Sequence, residues 1–311
     1  MNKNNSQFTI HNSQFSFKKL LLIFLIVHCA LYIVHPCFAQ EHLKKEEDNS
    51  DDRSLIVSTE YASDRVVYGR KLSTALPNIA PSLSYEAPSG FYTNLTIYRL
   101  LQPVQKIYET DWNTGWDFTV TKKLKAGVGY TRFFYSKDTS LQQFQFRSTL
   151  VNQFELNLTL ETKVITAKLY FDYLFGSGSS DVILPLDLSH KFKFENPFTE
   201  DNDELLIEPT ASIYLGTNNY VSLYKKGRGK GVSEVNNTKF GYQGIEFALP
   251  VEYDIGKFIF TASGHYNIPQ AQSISVPSKI HLSQSALDQI NSLTTSTPTF
   301  YFTFSVGFSI I

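Results

Sequence analysis

Large apolar side chains recur at every second position along much of this chain, with small or polar residues between them. The C-terminal stretch "PTFYFTFSVGFSII" sets Phe300, Phe302, Phe304, Val306, Phe308 and Ile310 against Tyr301, Thr303, Ser305, Gly307 and Ser309. Phe144, Phe146, Leu150, Phe154, Leu156, Leu158 and Leu160 likewise oppose Gln145, Arg147, Gln153, Glu155, Asn157 and Thr159. Ile165, Ala167, Leu169, Phe171, Tyr173 and Phe175 oppose Thr166, Lys168, Tyr170 and Asp172. Ile245, Phe247, Leu249, Val251 and Tyr253 oppose Glu246 and Glu252. Successive side chains of a strand point to opposite faces, so each run predicts a strand with one apolar and one polar face.

The pattern predicts about twelve strands, at 54–69, 78–86, 90–100, 108–121, 125–135, 144–160, 163–175, 181–195, 204–217, 239–253, 257–267 and 298–311. Tight turns fall at Ala87–Gly90, Thr121–Lys125, Leu160–Lys163 and Asp254–Lys257. Longer links alternate with them, at 70–77, 101–107, 136–143, 176–180, 218–238 and 268–297; the link at 195–204 lies on the short side. Most runs are longer than the ~5–6 residues usual in soluble sheets and match the ~9–11 that a tilted strand needs to cross a bilayer. A soluble sandwich would bury these apolar faces, and would then need a partner for every polar group between them. The expected fold is therefore all-β, a transmembrane antiparallel up-and-down β-barrel whose last strand closes on its first. Its apolar face meets lipid and its polar face lines the interior.

The N-terminus reads differently. Lys18 and Lys19 precede the apolar run Leu20–Val34, and Cys37 and Ala39 sit at small-residue positions before Gln40. This is the pattern of a secretory signal. Its apolar run is short of the ~20 residues of a membrane-spanning helix. Residues 1–39 are thus expected to be a signal peptide, 40–53 a disordered charged leader ("EHLKKEEDNSDDR"), and 54–311 the barrel. Both cysteines, Cys29 and Cys37, fall within the signal, which argues against a disulfide-framed secreted domain. The 28 Lys and Arg residues nearly balance 29 Asp and Glu, so no nucleic-acid partner is expected.

The stretch "YASDRVVYGRKLSTALPNIAPSLSYEAPSGFY", Tyr61–Tyr92, resembles the opening hairpins of the TorF-type outer-membrane porin family. Ala62, Ser63, Asp64, Gly69, Pro81, Ser89, Gly90, Phe91 and Tyr92 match that family's pattern; Arg65 stands in place of its Tyr and Tyr68 in place of its Arg. "LKAGVGYTRFFYS" (Leu124–Ser136) is similar to a later strand of the family. The resemblance implies an outer-membrane, porin-like barrel.

With the apolar parity outward, the expected pore lining is Glu60, Asp64, Glu109, Asp111, Asp117, Glu155, Asp172, Asp187, Glu208, Glu246 and Glu252, against Arg147, Lys168, Lys191 and Lys193. Excess carboxylates favour cations. The expected function is passive diffusion of small polar solutes with a cation preference. The other reading is a non-conducting structural or interaction barrel whose charges pair and fill the lumen. Two loops invite further roles. Ser283–Leu293 in the 268–297 link is either a short constricting helix or an outer loop, and "KKGRGKG" (Lys225–Gly231) is either a lipopolysaccharide contact or a solvated loop. Expected partners are outer-membrane lipid, lipopolysaccharide, the barrel-assembly machinery and small polar solutes. A lipid-modifying enzyme would need a His-activated Ser on the lipid rim. The best pair, Ser263 and His265, has inward parity and no evident third group, so no enzyme is expected. No metal-ligand spacing or phosphate loop is present, and no cofactor is expected.

Overall fold

The computed structural model describes residues 53–71, 75–138, 140–141, 150–176, 180–198, 203–218, 222–224, 232–234, 237–271 and 297–311. The signal, the charged leader, Arg147, the basic loop 225–231 and the segment 283–293 lie outside the described residues.

Among the described residues eighteen strands follow one another: β1 Ser54–Ala62, β2 Val66–Val67, β3 Arg70–Lys71, β4 Asn78–Glu86, β5 Phe91–Leu100, β6 Ile107–Thr121, β7 Leu124–Tyr135, β8 Leu150–Glu161, β9 Thr166–Gly176, β10 Ser180–Ser189, β11 Phe192–Glu195, β12 Asp203–Ile207, β13 Thr210–Asn218, β14 Ser222–Tyr224, β15 Val232–Glu234, β16 Asn237–Ile255, β17 Phe258–Pro269 and β18 Thr299–Ser309. Twelve of them form the closed antiparallel ring β1-β4-β5-β6-β7-β8-β9-β10-β13-β16-β17-β18. The ring closes between first and last, with Thr59 opposite Val306 and Tyr61 opposite Phe304. Closure of the terminal strands, predicted from the alternation, is thus observed.

Three details differ from the sequence expectation. The first strand ends at Ala62 rather than at residue 69, and Val66–Lys71 folds as a separate small hairpin, β2–β3. The eighth and ninth predicted strands are each interrupted. β10 and β11 stop around His190, while β12 and β13 stop around Pro209, whose carbonyl accepts from His190 N at 3.3 Å. Proline has no N–H to continue a ladder, which accounts for the break. The register nonetheless carries through it, from Ser189 opposite Thr210 to Phe192 opposite Ile207. β12 therefore continues the β13 side of β16, pairing Ile207 with Val251 and Asp203 with Ile255, and β11 pairs in turn with β12. Finally, the link between β9 and β10 is short, only residues 177–179.

Both chain ends of the ring lie beside the tight turns, where Ile310 N donates to Leu55 O at 2.8 Å and Ser309 N to Lys257 O at 2.8 Å. The strand ends Ala62, Asn78, Leu100, Ile107, Tyr135, Leu150, Asn218, Asn237, Pro269 and Thr299 lie at the opposite end, here called the loop end; between Asn218 and Asn237 the described residues include the hairpin β14–β15.

The alternation is realised with the apolar parity outward. Phe300, Phe302 and Phe304 are 69%, 47% and 47% exposed, whereas Tyr301 between them is 8% exposed. The inward set is polar and enclosed, including Glu109, Thr131, Gln153, Asp172, Gln243, Glu246 and Asn267. An apolar outer surface of this extent marks a surface made for something other than water.

Gly90 fixes one of the tight turns. Its φ is +83°, and a Cβ there would meet the Asp117 carbonyl oxygen at 1.9 Å. That close approach lets Asp117 N donate to Gly90 O at 2.9 Å. Gly90→Ala is expected to destabilise the barrel by about 1–3 kcal/mol, through backbone strain and the displaced neighbour. A lowered urea midpoint for loss of heat-modifiable gel migration would report it, and an unchanged midpoint would contradict it.

Candidate functional site

The interior is crossed by the segment between β1 and β4, which turns inward instead of continuing the wall. Ser63 holds the exit from β1, its N donating to Phe302 O at 2.9 Å while its Oγ accepts from Phe302 N at 2.9 Å. Asp64, 5% exposed, then staples the base of the strap. Its Oδ1 accepts from Arg65 N at 2.8 Å and from Leu76 N at 2.9 Å, and its Oδ2 lies 3.3 Å from Lys71 Nζ.

Between these ends β2 and β3 form a two-residue hairpin with Tyr68 (φ 48°) and Gly69 (φ 71°) at its tip. Successive left-handed residues are the turn that suits a tight hairpin, and a glycine second in the pair relieves half the strain. Gly69 is also required by proximity, because a Cβ would meet Tyr214 Cδ2 at 3.0 Å and Asn267 Oδ1 at 3.2 Å.

The strap reaches several walls. Arg65 Nη2 donates to Glu109 Oε2 on β6 at 2.6 Å, and its guanidinium lies 4.8 Å and 5.1 Å from the ring centroids of Tyr98 and Tyr108. Tyr68 donates to Gln153 Oε1 on β8 at 3.2 Å and packs edge-on against Tyr214 of β13, centroids 6.4 Å apart. Asn267 Nδ2 on β17 donates to Gly69 O at 2.9 Å. Arg70, 1% exposed, donates to Gln243 Oε1 on β16 at 3.4 Å and to Gln270 O at 2.5 Å. A chain tethered to β5, β6, β8, β13, β16 and β17 crosses the bore at the loop end.

Two cavities open on the barrel interior. One of about 300 Å³ lies between the strap and the β5–β9 wall, lined by Arg65, Tyr68, Tyr98, Glu109, Asp111 and Phe133 among others. A second, of about 590 Å³, opens toward the turn end and carries Glu86, Asp117, Lys125, Asn157, Lys168 and Tyr170.

The expected pore-lining residues thus fall into groups. Asp64, Glu109 and Asp111 meet at the strap; Asp117 and Lys168 line the larger cavity. Asp172 accepts from Gln153 Nε2 at 3.0 Å, and Glu155 is next on that face, 3.4 Å from the same amide. Glu246 takes Tyr301 OH at 3.1 Å and His265 Nδ1 at 3.2 Å, while Glu252 accepts from Thr261 at 3.4 Å. Glu60 is opposite Ala80 and Ser305, and Asp187 is opposite Ser212 and Lys168. Glu208 accepts from Ser189 at 2.7 Å and lies 3.8 Å from Lys191; Lys193 pairs with Glu204 at 2.8 Å on the exposed β11–β12 hairpin. These last residues lie at the turn end, where β12 pairs with β16 from Asp203 opposite Ile255 to Ile207 opposite Val251.

The Ser263–His265 pair gains an orienting carboxylate in Glu246, which sequence reading lacked. Ser263 Oγ nevertheless is buried without a hydrogen-bond partner among the described residues, so the Ser–His bond that activation needs is not made. On the rim, Asp138 accepts from Lys106 and from Ser140 N at 2.9 Å and Oγ at 2.7 Å. Bonds from Lys106 and Ser140 hold its carboxyl down at about 2, so the link persists through mild acid and is lost only as pH falls to that value.

What sequence reasoning missed is the strap. The signal was present, since alternation fails at Asp64-Arg65 and "VVYGRK" pairs two valines with Arg70 and Lys71 around a Gly-containing turn. Because Asp64 joins both ends of the strap, Asp64→Ala is expected to remove about 2 kcal/mol of charge-assisted hydrogen bonding locally. The amides of Arg65 and Leu76 should then exchange hydrogen at least tenfold faster while β1 and β18 keep their protection. Unchanged exchange would contradict the stapling role.

No family model and no curated protein matches this chain. Among solved structures it is similar to the KdgM porin (9% identity, 83% of this chain and 99% of that one, TM-score 0.43). It is also similar to the NanC porin (10% identity, 82% and 98% covered, TM-score 0.43). A third likeness is to an outer-membrane channel from Pseudomonas putida F1 (9% identity, 87% and 100% covered, TM-score 0.46).

Proposed function

We propose that this chain is an outer-membrane channel of porin type, exported by its N-terminal signal, through which small polar solutes diffuse past the strap. One observation carries the reading: a lumen of polar and ionisable side chains sits inside a shell of outward phenylalanines, tyrosines and leucines. Strands of 9 to 12 residues in most of the ring match the ~9–11 that tilted crossing needs. Lipid covers the outward face, and the strap between β1 and β4 supplies the narrowest passage. The sequence similarity of Tyr61–Tyr92 supports placement with the TorF-type porins, and the carboxylate-rich interior supports a preference for cations. Outer-membrane lipid, lipopolysaccharide and the barrel-assembly machinery are the partners such a protein meets.

A second reading has its own support. The strap bonds to opposite walls, which favours a barrel closed at rest. Replacing Val66–Lys71 by a short Gly-Ser link separates the two. For a strap that narrows an open pore, single-channel conductance in planar bilayers should rise two- to fivefold over the intact barrel. Steps that appear only after the replacement would identify a closed barrel. No steps from either protein would refute the channel.

A further inference from the structure

Arg65 is held by the β5–β6 wall in the manner of a bound ligand. Two phenol rings, Tyr98 and Tyr108, lie 4.8 Å and 5.1 Å from its guanidinium, and the Glu109 carboxylate takes its Nη2 at 2.6 Å. Aromatic faces joined to a carboxylate are the chemistry that recognises guanidinium and ammonium groups. The recognising groups belong to the wall, whereas the occupant belongs to a strap that arrives from β1. The wall also has capacity to spare. Asp111, two residues along the same face and hydrogen-bonded to Glu109, keeps a buried Oδ1 with no hydrogen-bond partner among the described residues, and it borders the cavity of about 300 Å³ beside Arg65. Phe133 and Tyr135, stacked with centroids 6.3 Å apart, complete an aromatic lining on that side. A small organic cation reaching this cavity would find an unused carboxyl oxygen first and the Arg65 position next.

We propose that Tyr98, Tyr108, Glu109 and Asp111 form a binding site for solutes bearing a guanidinium or primary ammonium group, that Arg65 occupies it at rest, and that an entering cation displaces Arg65 and frees that arm of the strap. The displacement half rests on the channel reading above; the binding half does not. An intramolecular occupant weakens apparent affinity for a free ligand by the fraction of time it holds the site. Vacating the site must therefore tighten binding.

The test is calorimetry with methylguanidinium chloride on the full barrel folded in detergent, with potassium chloride and glucose as comparison solutes. Arg65→Ala should bind methylguanidinium at least tenfold more tightly than the parent protein, and Arg65→Ala combined with Glu109→Gln and Asp111→Asn should lose that binding. Heat-modifiable migration verifies folding of each variant. Arg65→Lys, which keeps the charge but only part of the contact, gives an intermediate gain and serves if the alanine variant does not fold. Equal affinity in parent and Arg65 variants, retention in the triple variant, or equal binding of glucose would overturn the site. Single-channel recording then reads displacement: methylguanidinium added at the loop end should raise the open fraction of the parent and leave Arg65→Ala unchanged. A conducting parent that shows no response overturns displacement. Absence of conductance in every variant refutes the channel itself, while calorimetry still decides the site.

Discussion

A β-ladder with a free edge cannot persist in hydrocarbon, because each unpaired amide and carbonyl there costs several kcal/mol. The pairing of β1 with β18 removes that edge, and the remaining architecture follows from it. Closure gives the sheet an inside and an outside, and the period of two then sends every second side chain to one or the other. Phe302 and Phe304 go outward from the same strand that turns Tyr301 inward. An even number of staves returns both ends of the ring to the turn end, which leaves most of the longer connections at the other; the β11–β12 excursion between β10 and β13 is the exception.

Once the interior is polar and enclosed, it must be hydrated, paired or filled. A bore of twelve staves is intermediate between filled small barrels and open large ones. This chain fills part of it with its own first connection. Charged residues do the work at both ends of the strap: Asp64 draws its two feet together, and Arg65 and Arg70 secure its arms to opposite walls. Such contacts are exchangeable, since a guanidinium on an aromatic-acidic wall can be replaced by another cation. The ring's own ladder, closed from β1 to β18, is made by other groups, so displacement of the strap as proposed above would leave the ring closed.

The ring was largely legible from the residues, because an apolar outward face and a polar inward face impose the alternation that pattern reading detects. β4 Asn78–Glu86 and β18 Thr299–Ser309 fall within a residue or two of their expected limits. The interruptions at His190 and Pro209 were carried by a single proline in an otherwise alternating run, and continuing register hides such a break from periodicity. The strap left only a faint signal, the lapse of alternation at Asp64-Arg65 and the Gly-containing turn of "VVYGRK". That the hairpin turns inward is fixed by tertiary contacts such as Gly69 against Tyr214 and Asn267. Asp64, Glu109 and Asp111 were expected to face inward separately; their convergence around Arg65 comes from the fold. Segment 283–293, read as either a constricting helix or an outer loop, lies outside the described residues, and the crossing that is seen comes from the other side of the seam between β1 and β18.

The orientation of the two faces carries the whole account. Both cysteines precede the barrel, so single reporter cysteines can be placed in a variant lacking Cys29 and Cys37. Spin labels at Phe154 and Phe304, with partners at Glu155 and Thr303, should be read in lipid bilayers by their accessibility to oxygen and to a water-soluble nickel complex. Labels at Phe154 and Phe304 should favour oxygen, and those at Glu155 and Thr303 should favour the nickel complex or be shielded from both. The reverse pattern would show that the polar faces meet lipid, and would contradict the barrel as described.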